Sequence, residues 1–250
     1  MAMVRLTLQY VGTHFHGWQV QPNAITIQET LQNAIEQVTG ARSDVTGCSR
    51  TDAGVHANRF YCTTVAPCRL SNDKFVQALN AVLPDEISVI DCMDIADDFH
   101  PRYSAQGKRY VYQIWNGSVR NPFVKDTALH VRAKLNENAM NETAKLFLGT
   151  HDFSAFCSAG SSVQDKVRTI RRSEVKRDGD FVTYTVEADG FLYNMVRILV
   201  GTILDVEYGR LSADAVRQAL ENGDRSLAGV TAPAHGLFLD EVWYLTEVKS

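Results

Sequence analysis

Seven short runs of the chain alternate apolar and polar residues with a period of two or are rich in β-branched residues, which predicts β-strands. The runs are 3–10, 57–65, 87–94, 107–115, 168–177, 180–188 and 240–248. Five longer segments repeat apolar residues at helical spacing, at 27–39, 72–83, 136–148, 190–206 and 212–222. Ser71 and Ser212 are the predicted N-terminal caps, and Gly40, Gly149 and Gly223 are the predicted helix stops.

The order of these elements predicts a duplicated architecture. The first half reads strand, helix, a short strand near 44–48, strand, helix, strand. The second half reads strand, helix, hairpin, helices, strand, with Asp178-Gly179 as the hairpin turn signal. Both halves resemble the β-α-β-β-α-β unit of ferredoxin-like folds. We therefore expect an α+β protein of two ferredoxin-like halves, 1–105 and 106–250, whose mostly antiparallel sheets form one body with a central cleft.

Composition and the length of the apolar stretches exclude several classes of protein. The 250 residues are 45% hydrophobic and 22% charged, which suits a folded core and excludes a disordered or fibrous chain. The longest apolar stretch, 195–204, is interrupted by Arg197 and is too short to span a bilayer. The N-terminus alternates polar and apolar residues and has no signal-peptide run. We expect a cytoplasmic protein without a membrane partner.

Cysteine and histidine spacing gives no sign of a metal centre. The five cysteines are an odd number, so a disulfide framework would leave one thiol over. No two of them have the spacing of zinc ligands, and the seven histidines form no HxxxH pair. We expect reduced thiols and no metal.

Charge is distributed unevenly along the chain. The formal net charge of -4 argues at first against a nucleic-acid partner, since phosphate binding usually leaves a basic footprint. The segment 73–98 carries a net charge of -6, whereas 102–134 carries +6 and 165–177 carries +4. These segments are either solvated faces of opposite sign or a basic surface that receives a polyanion.

The densest polar cluster is the segment 49–56, between two predicted strands. Asp52 lies there in a glycine-containing loop, flanked by Arg50 and His56. An aspartate in such a loop is often only a turn former. Alternatively, the nearby cation keeps the carboxylate ionised, and a carboxylate held on a tight loop serves as a nucleophile or general base.

Arg197 stands in the middle of the most apolar predicted helix, 190–206. A guanidinium in a buried helix needs a partner, because an unpaired buried charge is strongly unfavourable. Its partner is either a structural carboxylate, Glu187 or Asp189, or a functional one from a distant loop, for which Asp52 is the best candidate.

An aromatic strand, 107–115, opens with the two cations Lys108 and Arg109. Tyr110, Tyr112 and Ile114 share one face by the strand period, which predicts that at least one tyrosine is in the core. Aromatic rings beside cations are also what a splayed nucleobase stacks on.

The segment 50–57, RTDAGVHA, resembles the signature of tRNA pseudouridine synthases of the tRNA pseudouridine synthase A (TruA) family. Ser49, just before it, stands where the family usually has glycine. Further segments resemble the family in the same order: 15–19 with 26–28, 108–112, 151–156, 167–170, 194–197 with 201–202, and 232–237.

This resemblance implies an isomerase that converts uridine to pseudouridine in the anticodon stem-loop of tRNA, at positions thirty-eight to forty, with neither metal nor cofactor. It implies that Asp52 is the catalytic carboxylate and leaves open whether Asp52 attacks the base, attacks the ribose C1′ or abstracts a ribose proton. By the same resemblance Arg197 pairs with that carboxylate, Tyr110 stacks on the flipped-out uracil and takes part in proton transfer, and Arg50 holds the flipped-out state. The resemblance also implies a homodimer with tRNA across both subunits.

The remaining candidates for substrate binding are basic side chains near these motifs. They are His56, Lys108, Arg109 and Arg168. The basic segments 102–134 and 165–177 are the candidates for gripping tRNA phosphates.

Two other function classes compete with the synthase. A non-catalytic RNA-binding ferredoxin-like module would leave Arg50, Asp52 and Arg197 without a role. A nucleoside-type glycosidase generally needs two carboxylates at the bond, and no second acid stands out near Asp52.

Overall fold

The structure is a computed structural model that describes residues 2–66, 70–96, 98–161 and 163–245. It divides into two compact units. The first unit is Met1–Gln106 together with the residues from Phe238 onward, and the second unit is Gly107–Leu237. The element order had predicted the last strand in the second half. That strand groups with the first unit because it pairs in parallel with a strand of that unit, Phe238 opposite His56 and Leu239 opposite Ala57.

The first unit contains a mostly antiparallel sheet and, among its described residues, two α-helices. Its elements are β1 (Ala2–Tyr10), α1 (Ile27–Thr39), β2 (Val45–Gly47), β3 (His56–Ala66), α2 (Asn72–Asn80), β4 (Ile87–Asp94) and, from the end of the chain, β10 (Leu237–Tyr244). β1 lies between β4 and β3 and is antiparallel to both, and β2 runs antiparallel along β3. The element order is that of the expected β-α-β-β-α-β unit.

Helix α1 shows why these residues form a helix. Its buried side chains Ile27, Leu31 and Ile35 recur at helical spacing and form one apolar face. Thr26 caps the start by accepting the N–H of Glu29, and Gly40 ends the helix in the left-handed conformation at φ +75°. The predicted bounds 27–39 are confirmed.

The second unit is likewise mixed, with its helices α3 and α4 packed on one another and α3 also on the sheet. Its elements are β5 (Ala105–Trp115), β6 (Leu129–His130), α3 (Glu137–Lys145), β7 (Gly149–Asp152), β8 (Val167–Asp178), β9 (Phe181–Ala188), α4 (Met195–Glu207) and α5 (Ala213–Asn222). The strand order β5-β9-β8-β7 is antiparallel throughout, and β6 runs parallel along β5. The predicted hairpin is confirmed: Asp178 pairs with Phe181, and Gly179 turns the chain at φ +57°. The predicted α+β class is confirmed.

Three predicted helix bounds are wrong, each for a local reason. Helix α2 ends at Asn80 rather than 83, because the N–H groups of Val82 and Leu83 both donate to the Leu79 carbonyl in a turn that closes the helix. Helix α4 begins at Met195 rather than 190, because Asn194 takes a left-handed conformation at φ +58°. Gly149 does not stop a helix: α3 already ends at Lys145, and Gly149, at φ +102°, opens β7.

Two strands lacked a sequence signal, and two predicted features reach beyond the described residues. β6 and β7 have two and four residues, too few to show a period. The predicted strand 240–248 is found as Leu237–Tyr244, and its last predicted residues, 246–248, lie outside the described residues, as does Cys68. The four cysteines that the structure describes are buried. Among the described helices, none combines the length and apolar character needed to cross a bilayer.

We expect Ser212→Ala to lower the free energy of unfolding by about 1 kcal/mol, because the Ser212 hydroxyl accepts the N–H of Ala215 at 3.1 Å and caps α5. Ser71→Ala is the matched control, since the Ser71 side chain accepts no capping hydrogen bond from the described residues. Urea unfolding followed by circular dichroism measures both. Equal destabilisation of the two variants would contradict the assignment.

Candidate active site

The loop that carries Asp52 connects β2 and β3 and is held by the segment that follows β1. The Thr51 hydroxyl is 2.9 Å from the Tyr10 hydroxyl in a buried hydrogen bond. The Thr51 carbonyl accepts the N–H of Trp18 at 3.1 Å, and the Gly54 N–H donates to the Phe15 carbonyl at 3.2 Å. The loop is therefore fixed on both sides of Asp52.

Two glycines allow this close backbone approach. A β-carbon on Gly17 would lie 2.5 Å from the Thr51 carbonyl oxygen, and one on Gly12 would lie 2.0 Å from the Val55 carbonyl oxygen. Both distances are shorter than real β-carbon contacts, so no larger residue fits without moving the loop. Gly17 also takes φ +84°, which favours glycine. Gly17 lies in one of the segments that resemble the family, but no local pattern predicts this role, because its contact partner lies 34 positions further along the chain.

The same segment is anchored to helix α1. The N–H groups of Ile27 and Gln28 donate to the carbonyls of Gly17 and Trp18 at 3.1 and 3.0 Å. The Trp18 ring stacks on Phe60 with centroids 4.1 Å apart. Rigid helix and sheet therefore support the loop, as a positioned catalytic group requires.

Asp52 occupies the boundary between protein and solvent on this loop. Thr51 before it is buried and Ala53 after it is exposed, while Asp52 itself is half-buried. Its carbonyl accepts the N–H of Val55 at 3.1 Å, so its backbone does form the tight turn expected of an aspartate at this position. The turn and a catalytic carboxylate are compatible, because the turn uses the backbone and not the carboxylate. Arg50, two residues earlier, is exposed.

His56 does not fit the predicted role in substrate binding. Its side chain is fully buried, its Nδ1 accepts the Gly12 N–H at 2.9 Å, and its ring packs against Phe238 with centroids 4.7 Å apart. A side chain with no accessible surface cannot touch RNA in this conformation. His56 instead joins the end of the Asp52 loop to Gly12 and Phe238.

In the second unit, Tyr110 lies on β5 with Tyr112 and Ile114 on the same face, and all three are buried. The Tyr110 ring packs edge-on against Phe191, with centroids 5.0 Å apart and an angle of 81°. The Tyr112 hydroxyl donates to the Pro233 carbonyl at 2.8 Å. Burial raises the pKa of Tyr112 well above its usual value, and the nearby charge of Arg197 acts in the opposite direction.

Arg197 is held at the start of α4 by hydrogen bonds from its guanidinium. Its Nε donates to the Ala232 carbonyl at 2.7 Å, and its Nη1 donates to Asn194 Oδ1 at 2.8 Å. Asn194 is fixed in turn, since its Nδ2 donates to the Ser158 hydroxyl at 2.9 Å. The helix is otherwise buried from Met195 to Asp205, as the apolar pattern predicted.

The structural carboxylates weighed as partners of Arg197 are engaged by other groups. Glu187 Oε1 accepts from Arg109 at 3.4 Å and from Arg172 at 3.1 Å. Asp189 Oδ1 accepts the N–H of Thr169 at 3.1 Å. Both carboxylates therefore bind groups on the neighbouring strands β5 and β8.

The other basic candidates are half-buried and are also engaged by protein. Arg109 pairs with Glu187 across the strands, and Lys108 is its half-buried neighbour on β5. Arg168 donates from Nη1 to the carbonyls of Asp165 and Val167. Because these side chains already contact protein groups, only the exposed part of each one is accessible to RNA.

The structure thus places the predicted residues in two sets. Arg50, Asp52 and His56 belong to the first unit, on or beside one loop. Tyr110, Arg197, Lys108, Arg109 and Arg168 belong to the second unit. Within the described part of the chain, no group of three or more His, Cys, Asp and Glu side chains is arranged to hold a metal ion.

Comparison with known proteins gives consistent matches along the chain. A family model described as tRNA pseudouridine synthase matches residues 7–104 and 143–244. The chain is 45% identical over 244 residues to the tRNA pseudouridine synthase A of Acetivibrio thermocellus, and the alignment covers 98% of this chain and 100% of the relative. It is 43% identical to the tRNA pseudouridine synthase A of Thermoanaerobacter sp. and 42% identical to that of Clostridium kluyveri, at the same coverage.

We expect Gly17→Ala to lower the free energy of unfolding by about 1–3 kcal/mol more than Gly40→Ala, because only the Gly17 variant forces a methyl group against the loop. The two glycines share the left-handed conformation, at φ +84° and +75°, so the backbone strain is matched. Around Gly40, no heavy atom of the described residues lies within 4 Å of an added β-carbon. Urea unfolding measures the difference, and equal destabilisation would show that the loop is not clamped at Gly17.

Proposed function

The chain belongs to the tRNA pseudouridine synthase family, and on that basis we propose that it isomerises uridine to pseudouridine in the anticodon stem-loop of tRNA, at positions thirty-eight to forty. Enzymes of this family are isomerases. The bond from the ribose C1′ to N1 of uracil breaks, the base turns over and a bond from C1′ to C5 forms. The hydrogen on C5 leaves as a proton, and N1 takes up a proton. No atom is gained or lost in the nucleotide apart from exchange of that proton.

The observation that carries the proposal is the Asp52 loop. A half-buried carboxylate stands on a backbone that is fixed by buried Thr51 on one side and by Gly54 on the other. We propose Asp52 as the catalytic carboxylate. A group fixed before substrate arrives loses little freedom in the reaction, which favours catalysis.

The remaining roles follow the resemblance and agree with the chemistry of each side chain. Arg197 is the proposed cation that keeps the catalytic carboxylate ionised, since a nearby positive charge favours the charged form. Tyr110 is the proposed stacking partner of the uracil. Arg50, exposed on the Asp52 loop, is the proposed holder of the flipped-out nucleotide.

Flipping the uridine out of its helix is unfavourable by a few kcal/mol, which contacts elsewhere on the RNA must offset. The basic segments 102–134 and 165–177 are the proposed source of those contacts. We also propose that the enzyme is cytoplasmic and, from the resemblance, that it is a homodimer.

Neither competing function class gains support. A binding module without catalysis does not account for membership of an isomerase family, and a glycosidase needs a second carboxylate at the bond. The loop 49–56 contains Asp52 as its one acidic residue.

We expect Asp52→Asn to abolish pseudouridine formation while tRNA affinity stays nearly unchanged, because phosphate contacts dominate RNA affinity and asparagine removes only the ionisable oxygen. The measurement is tritium release from tRNA that carries uridine tritiated at C5. Transcripts with cytidine at positions thirty-eight to forty test the site of reaction.

Asp44→Asn is the matched control, since Asp44 is an exposed aspartate of the same unit. It should keep the wild-type rate. If the wild-type enzyme released no tritium from any tRNA, the proposed function would be wrong. A full rate in Asp52→Asn would overturn only the assignment of the carboxylate.

We expect Arg197→Met to lower kcat by about a hundredfold, the size of effect seen when one preorganised electrostatic group is removed. Arg225→Met is the matched control, because Arg225 is also half-buried and also donates to a backbone carbonyl, that of Ala228 at 3.1 Å. Both rates are compared at a temperature where both variants are folded by circular dichroism. Equal rates in the two variants would make Arg197 purely structural.

A further inference from the structure

The second unit contains a cavity of about 470 Å³ beside the connection from β5 to β6. This volume lies in the range of sites that bind small organic molecules. Its walls come from the end of β5, the connection itself, β6 and the segment before β10. The lining residues are Trp115, Arg120, Asn121, Pro122, Val124, Lys125, Ala128, His130 and His235.

The walls of this cavity are fixed by hydrogen bonds within the second unit. Asn116 Nδ2 donates to the carbonyls of Val131 and Ala133 at 2.8 and 2.7 Å. Trp115 Nε1 donates to the Val119 carbonyl at 2.8 Å, and His130 Nε2 lies 3.0 Å from the Gly117 carbonyl. The cavity is therefore formed before any ligand binds, which reduces the entropic cost of binding.

The charge of the lining favours an anion. Arg120 and Lys125 are exposed at the cavity, and none of the nine described lining residues is acidic. Lys125 Nζ is 3.6 Å from Asp126, a weak exposed pair that leaves most of the ammonium accessible. Arg120 makes no hydrogen bond or ion pair with the part of the chain that the structure describes. Its guanidinium is available to a phosphate, for which it has the matching fork of donors.

The remaining lining suits a flat heterocycle. The Trp115 ring is immobilised edge-on against Phe181, with centroids 5.1 Å apart and an angle of 72°. Pro122 and Val124 add apolar surface. Asn121 Oδ1 accepts the Phe123 N–H at 3.0 Å, which orients the side-chain amide and leaves its NH₂ group as a donor. Aromatic rings with adjacent cations are the usual platform for nucleobases.

His235 completes the polar lining. Burial lowers its pKa below the usual histidine value, although the charge of Asp126 and a bond to the backbone of Ala128 act in the opposite direction.

We propose that this cavity binds a nucleotide of the tRNA other than the reacting uridine, with the base against Trp115 and its phosphate on Arg120 and Lys125. The cavity contains none of the residues proposed to act on the uridine, so it is an additional RNA-binding site. This inference rests on the proposed function, which makes tRNA the molecule that supplies the nucleotide. The same chemistry, a base and a phosphate, also describes a free nucleotide, and the experiment separates the two.

The first arm measures tRNA binding by the double variant Arg120→Ala/Lys125→Ala. We expect Kd and KM for tRNA to rise about 5- to 30-fold. We also expect the slope of log Kd against log salt to fall by about one for each phosphate that the variant no longer neutralises. Arg217→Ala/Lys145→Ala is the matched control, since both cations are exposed on helices of the same unit, away from the cavity, and pair with Asp214 and Glu142.

The second arm titrates each of the four nucleoside monophosphates, and inorganic phosphate, into the wild-type enzyme while the indole N–H of Trp115 is followed by NMR. A nucleotide should shift this signal in the wild type and not in the double variant, and inorganic phosphate alone should not. Equal shifts with inorganic phosphate would overturn the base-binding part of the proposal.

If the double variant bound tRNA as tightly as the control does, the proposal that the nucleotide belongs to tRNA would be wrong. Nucleotide binding in the second arm would then show that the cavity binds a free nucleotide. These outcomes are independent of the reaction itself. Tritium release by the wild-type enzyme with normal tRNA binding by the double variant would leave the proposed function intact and remove only the cavity site.

Discussion

The candidate site depends on one contact between backbones, the packing of the segment after β1 on the Asp52 loop. Gly12 and Gly17 bring their α-carbons so close to the carbonyls of Val55 and Thr51 that no β-carbon fits. Hydrogen bonds then connect this segment to the loop on one side and to the first turn of α1 on the other. Asp52 is thus positioned by the core of its unit and not by a free-standing loop, which is the rigidity that a catalytic carboxylate requires.

A second close contact organises Arg197. A β-carbon on Gly201 would lie 1.7 Å from the Val230 carbonyl, so the segment before β10 runs directly along α4. Ala232 donates its N–H to the Arg197 carbonyl at 3.0 Å and accepts from the Arg197 side chain at 2.7 Å. The arginine therefore joins the helix to this segment through both its backbone and its side chain. This explains physically how a cation is tolerated within an apolar helix.

Charge and its distribution describe different properties of this protein. The net charge of -4 bears on solubility, whereas the local surplus of cations in 102–134 bears on the partner. Arg120 and Lys125 from that segment line the cavity of the second unit, while Arg109 is largely occupied by Glu187. A count of cations along the sequence cannot separate these two cases, because the difference lies in which carboxylate the fold brings to each guanidinium.

Most strands, the extent of α1 and the motif that carries Asp52 were predictable from the chain alone, because period and residue type are local properties. The full burial of His56 was not, since the Gly12 N–H that binds it and the Phe238 ring that covers it lie 44 and 182 positions away. Gly149 has the residue type of a helix stop, yet its strand pairing with Ile170 gives it another role. The cavity, too, exists only in the fold, because His235 joins residues 115–130 through tertiary packing. The tertiary structure therefore decides which polar groups face protein and which face solvent, because residues distant in the sequence bury them.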